Sequence, residues 1–166
     1  MKHVIKYRDG HSEAVEADTF VEAIEAHKSH LAMAYLFGAD LRGANLARAN
    51  LTGADLAGAN MTRANLTGAN LTWANLTGAY LFRADLTRAD LAGADLTRAD
   101  LYDAYLAMAD LTRANLFGAD LTRANLTGAD LTWADLAGAD LTRANLAGAD
   151  LFGTDTTGAV GLKPQT

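Results

Sequence analysis

From Ala34 to Ala149 every fifth residue is alanine, and two places after each stands leucine, with Met61 the one exception. Between the two lies aspartate or asparagine, or a tyrosine at Tyr35, Tyr80 and Tyr105. The unit A-(D/N)-L-x-x runs without insertion, as in Ala39-Asp40-Leu41-Arg42-Gly43 and Ala124-Asn125-Leu126-Thr127-Gly128. A period of five excludes a long helix, because five residues advance roughly 500° and the leucines would drift around the axis. It excludes a straight strand as well: an alanine and the leucine two places on share a face, but the next alanine points the other way. Both residue types can line one interior only if the chain bends once per repeat, at the two variable positions after each leucine. The chain therefore coils around an axis of alanine and leucine.

Successive coils then stack as very short parallel strands about 4.8 Å apart, each satisfying its backbone groups with its neighbours. Glycine often fills the second variable position, where it tolerates the positive φ of a turn. Arginine or tryptophan stands there elsewhere, so the corners need not share one turn type. Periodicity leaves open how many corners close a coil. Each buried leucine contributes roughly 1.5–3 kcal/mol, offset in large part by the entropy of ordering the backbone.

The tandem pattern resembles the pentapeptide repeat family. That resemblance implies an all-β solenoid, a right-handed quadrilateral parallel β-helix with four repeats per coil. It also implies inward alanine and leucine, about six coils and a rod on the order of 29 Å long.

Residues 1–30 follow a different pattern. Val4 to Arg8, then Asp9-Gly10, then His11 to Ala17 predict a β-hairpin turned at Asp-Gly. Thr19 and Glu22 form a capping box for a helix from Phe20 to about His30, with Phe20, Ile24 and Leu31 on one face. Hairpin and helix are expected to plug the first coil as an N-terminal cap over 1–30, ahead of the β-helix at 31–155 and a tail at 156–166. The repeat fades at Thr154 and Thr156, and the tail has no pattern able to cover the last coil. A homodimer through the C-terminal coil is the corresponding expectation.

Composition narrows the chemistry. There is no cysteine, hence neither a disulfide nor a thiolate nucleophile. Ser12 and Ser29 are the only serines, and no nucleophile–base pair can be assembled by spacing. His27 and His30 near the helix end suggest a metal only weakly, since no third ligand is evident, so no metal or cofactor is expected. The aspartates before leucine recur along a convex rod with no concavity, which reads as a solvated surface with turn hydrogen bonds and not as acid–base or calcium machinery. Threonine columns are broken by Ala92 and Phe152, against an ice-binding array. With a formal net charge of −6, no direct nucleic-acid partner is expected. Neither a signal peptide nor an 18-residue apolar run occurs, and a cytoplasmic, non-membrane protein is expected.

At a spacing of twenty, outside columns can be read. Arg63, Arg83, Arg123 and Arg143 stack, interrupted by Asp103, which can pair with both neighbours. Phe82 and Tyr102 are vertical neighbours; with Tyr80, Tyr105 and Met108 they form the least regular part of the surface and the candidate partner site. The sequence thus predicts a non-enzymatic scaffold that presents its outer faces to a protein partner, from a natural array or a consensus-designed one. The resemblance implies an alternative: some family members mimic DNA, bind DNA gyrase and protect it from quinolones.

Overall fold

The computed structural model describes residues 1–162; Lys163 to Thr166, the end of the expected tail, lie outside the described residues. β1 (Lys2–Lys6) and β2 (Ser12–Glu16) pair antiparallel, with Lys2 opposite Glu16 and Lys6 opposite Ser12. The hairpin is less tight than an Asp-Gly two-residue turn. Tyr7 N–H bonds to His11 C=O and Gly10 N–H to Tyr7 C=O, so three residues form the loop, and only Gly10, at φ 90°, takes a positive φ. α1 spans Phe20–Ala26, and both arms of its Thr19–Glu22 capping box are present. It stops short of His30. Lys28–His30 instead form a 3₁₀ turn, which leaves the Lys28 carbonyl to accept from Asn50 N–H at 2.7 Å.

From residue 33 to residue 158 a corner recurs every five residues, and parallel bridges join residues twenty apart, from Tyr35 with Asp55 to Asp140 with Val160. Four corners therefore close each coil. The coil continues to Val160, past the expected start of the tail at 156. Each repeat bonds upward twice and downward once. Leu36 N–H donates to Asp55 C=O at 2.7 Å, Gly38 N–H to Ala57 C=O at 2.9 Å, and Asp55 N–H to Ala34 C=O at 2.9 Å. The backbone is thereby satisfied without long strands.

Leucines from Leu41 to Leu141, Met61 in its place, and the alanines at every fifth position from Ala44 to Ala139 are at most 2% exposed, and no charged residue is buried among the described residues. No helix of the described residues is long and apolar enough to cross a membrane.

The corners share one conformation, a point the sequence left open. The second corner residue lies in the left-handed region whether it is glycine or not, with φ 55–62° at thirteen non-glycine residues such as Arg63, Trp73 and Asp103. A left-handed residue with a Cβ costs roughly 1–2 kcal/mol. Within the stack this conformation aims the N–H of that residue at the coil above, as Arg63 N–H reaches Phe82 C=O at 2.9 Å.

The hairpin and helix are bonded to the first coil. Tyr35 N–H donates to Lys6 C=O at 2.7 Å, Arg8 N–H to Met33 C=O at 3.0 Å, and Asn45 N–H to the Glu25 carboxylate at 2.6 Å. Ile5, Tyr7, Val15, Ala23 and Ile24 join the same apolar cluster as the coil leucines.

Candidate functional site

The coil offers four faces, each centred on a column of bridge residues and bounded by two columns of corners. Asparagine or aspartate in the bridge column shapes the next corner: its Oδ1 accepts the N–H two residues on, from Asp40 and Arg42 to Asp155 and Thr157. Threonine at the corner often adds a hydroxyl bond, as Thr97 to Asp95 at 2.6 Å. Bonds from the Thr142 hydroxyl and backbone hold the Asp140 carboxyl below its usual range, and Thr157 does the same for Asp155. These are corner-forming carboxylates.

One corner column departs from this regularity. The Phe82 and Tyr102 rings stack with centroids 5.8 Å apart. Arg83 lies over Phe82 at 5.0 Å and Arg123 over Tyr102 at 5.7 Å. Between the two arginines, Asp103 accepts from Arg83 Nε at 3.3 Å and from Arg123 Nε at 2.8 Å, its side chain only 15% exposed. The double pairing expected from the column spacing is present, and it fixes both guanidiniums against aromatic rings. Charge-assisted bonds and stacking here hold long side chains that are free on most surfaces.

The other candidate residues flank this cluster. Tyr105 stands exposed in the bridge column of the face that follows the corner, and Met108 at that face's far corner, where its sulfur covers Gly128 in the next coil. Tyr80 is exposed on the adjoining face, across the Phe82 corner. Four of the five candidates therefore share one face and its bounding corners, while Tyr80 lies around the edge.

The tryptophans have a different role. A Cβ at Gly93 would fall 2.5 Å from the Trp73 ring, and one at Gly153 equally close to Trp133. Each indole ring packs against the glycine one coil above it, and Phe152 meets Trp133 edge-on at 5.3 Å. The sequence carries this signal as a large residue followed twenty places later by glycine.

At the N-terminal end, Glu13, Ala14, His27 and His30 line an open hollow of about 420 Å³. His27 Nε2 is 3.9 Å from Glu13, its Nδ1 is buried without a partner, and among the described residues no three metal-ligating side chains converge. Nearby, the Tyr7 hydroxyl donates to Glu13 at 3.2 Å, and burial followed by the Glu13 charge pushes its pKa up to about 12. At the opposite end Arg143, Ala144, Leu146, Ala149, Leu151 and Leu162 surround a cavity of about 540 Å³.

A family model described as pentapeptide repeats matches this chain in eight copies, over residues 34–72, 44–81, 79–118 and 119–158. The chain belongs to the pentapeptide repeat family. Its members fold as right-handed quadrilateral β-helices, in keeping with four corners per coil. Among solved structures, a pentapeptide repeat protein (Rfr23) from the cyanobacterium Cyanothece 51142 is 39% identical over 61% of this chain and 63% of its own, with a TM-score of 0.47. One from the Arabidopsis thaliana thylakoid lumen is 35% identical over 55% of this chain and 63% of its own, with a TM-score of 0.54. HetL, a pentapeptide repeat protein involved in heterocyst differentiation regulation in Nostoc sp. strain PCC 7120, is 38% identical over 76% of this chain and 69% of its own, with a TM-score of 0.44. The match thus spans less than two thirds of the first two relatives' lengths. No curated protein matches the sequence.

Proposed function

We propose that this pentapeptide repeat protein is a non-enzymatic interaction scaffold, a rigid rod that seats a protein partner on the face holding Phe82, Tyr102, Tyr105 and Met108. The observation that carries the reading is the ordered cluster at its corner, in which Asp103 clamps Arg83 and Arg123 against stacked aromatic rings. Aromatic residues and arginine, pre-positioned on a surface, are the usual anchors of protein interfaces. Affinity capture from a lysate, comparing the chain with a variant carrying Phe82→Ser, Tyr102→Thr and Tyr105→Asp, tests it. Loss of captured proteins in the variant is the expected result; equal recovery rules the face out.

Two further parts of the reading concern the ends. Residues 1–30 act as the cap of the β-helix, supported by the hydrogen bonds they give the first coil. The opposite end, with its open cavity, is where two copies join, which supports a homodimer through the C-terminal coil. Light scattering on an eluting size-exclusion peak checks the second, and a monomer at every micromolar concentration rejects it.

The alternative, a DNA mimic acting on gyrase, draws its support from the aspartate ladders, such as Asp90, Asp110, Asp130 and Asp150 on one face. The arginine column on another side weakens it. A supercoiling assay showing neither inhibition nor drug rescue removes it.

A further inference from the structure

The aspartates are unevenly distributed around the rod. Residues 31–155 contain fourteen, and three faces carry four each in their bridge columns. The fourth face, whose bridge column runs Asn45, Asn65, Asp85, Tyr105, Asn125 and Asn145, carries one. Arginine distributes the opposite way. Of nine in the same region, Arg63, Arg83, Arg123 and Arg143 stand in one corner column bounding that face, with Arg42 beside them, and Arg48 and Arg88 stand in the other. The face with its corners thus holds seven arginines against Asp85 and Asp103, while the rest of the coil holds two arginines against twelve aspartates. An acidic rod has one basic side.

Three of these arginines are engaged, Arg42 with Asp40 at 2.6 Å and Arg83 and Arg123 with Asp103. Arg48, Arg63, Arg88 and Arg143 are exposed and have no carboxylate partner among the described residues. They are spread along about 23 Å of the rod at the coil spacing. At physiological ionic strength charges are screened over about 8 Å, so a molecule on this side responds chiefly to the charges beside it. Tyr105, Phe82, Tyr102 and Met108 occupy the same side, and the coil contains no lysine within residues 31–155.

We infer that this side is the docking face for a protein partner that presents an acidic segment. The inference rests on the scaffold reading above and gives its partner a chemistry. The unpaired guanidiniums offer bidentate bonds to carboxylates, and the aromatic rings supply apolar contact between them. The three aspartate-rich faces repel the same partner, which fixes the side on which it docks. A duplex nucleic acid is a poorer fit, since its phosphates would also meet the aspartate-rich faces of a chain whose formal net charge is −6.

The test titrates the intact chain into a labelled peptide of about ten glutamates, which when extended (~33 Å) spans the face, and reads fluorescence anisotropy. Saturable binding at about 20 mM salt, weakened roughly tenfold or more at about 150 mM, is the expected result. Arg63→Glu with Arg88→Glu abolishes it, whereas Arg98→Glu with Arg113→Glu leaves it unchanged despite the same change in net charge. All four positions are exposed left-handed corners without an ion pair among the described residues, so the two variants make equal demands on the fold. No binding at low salt, equal loss in both variants, or tighter binding of a duplex DNA of equal charge overturns the inference. If the peptide fails while the aromatic triple variant still loses its captured protein, only the acidic chemistry falls and the scaffold reading stands. A peptide bound through Arg63 and Arg88, with capture indifferent to the aromatic residues, supports the basic face and removes the aromatic site.

Discussion

The two ends of the coil present the same repeat to different surroundings. At the first coil Leu31, Leu36 and Leu41 are at most 2% exposed, beneath Ile5, Val15 and Ile24. At the last, Leu146 and Leu151 remain only partly buried around a cavity. The polar backbone differs in the same sense. Tyr35, Asn45 and Asn50 find acceptors in Lys6, Glu25 and Lys28, whereas among the described residues the N–H groups of Leu146, Gly148, Leu151 and Gly153 have no carbonyl above them. A stacked repeat satisfies its middle automatically, so its ends require separate sequence. A cap must provide apolar cover and also hydrogen-bond acceptors at the coil's own spacing.

The largest effect expected is from removing residues 1–30. This uncovers Leu31, Leu36 and Leu41 and the unpaired N–H groups together, and the truncated chain is expected to aggregate or lose its cooperative unfolding transition, as followed by circular dichroism and light scattering. A soluble, cooperatively folding product breaks the comparison. Next is a matched pair. Leu41→Ala should cost about 2–5 kcal/mol in urea unfolding and Leu146→Ala well under half of that, because the latter already faces open space.

Glycines give a smaller contrast. A Cβ at Gly161 would collide with backbone atoms of Leu141 and Thr142, while at Gly38 it meets nothing within 4 Å. Gly38→Ala should therefore cost only the left-handed strain, roughly 1–2 kcal/mol, and Gly161→Ala should in addition lift Val160 from Ala139, visible as faster exchange of the Val160 amide.

The smallest effects depend on pH and have opposite signs at the two ends. Tyr7 binds its proton more tightly folded than unfolded, so its contribution is intact below about pH 10 and is lost as pH rises towards 12. Tyr7→Phe should remove that alkaline loosening of the hairpin. Asp140 and Asp155 have lowered pKa values, so their contribution is present above the usual carboxylate range and is lost as pH falls through their folded values. Asp140→Asn keeps an acceptor for Thr142 and should blunt the acid sensitivity of the last coil. Amide exchange across a pH series checks both.

The inward alanines and leucines were legible because a five-residue period forces a bend in every repeat, whereas the spacing of twenty that sets Asp103 between Arg83 and Arg123 was implied by the family resemblance. The helix end was less so: local pattern carries α1 on towards His30, but the acceptor demanded by Asn50 diverts Lys28 into a tighter turn. Corner conformation at Arg63 or Trp73 is set by the neighbouring coils and opposes the residue's own preference, so propensity could not show it. The basic side was present in the sequence in columns of twenty, yet is hidden when the aspartates are taken as one population. Tyr80 shows the limit of proximity in sequence, since a corner separates it from Tyr105.

Amide hydrogen exchange of the intact chain at neutral pH tests most directly whether the stack is sealed at one end and open at the other. Leu36 and Leu41 should exchange as slowly as Leu96 in the middle of the rod, with Leu146 and Leu151 far faster. Rapid exchange at Leu36 and Leu41, or protection at Leu146 and Leu151 equal to that of Leu96, would contradict it.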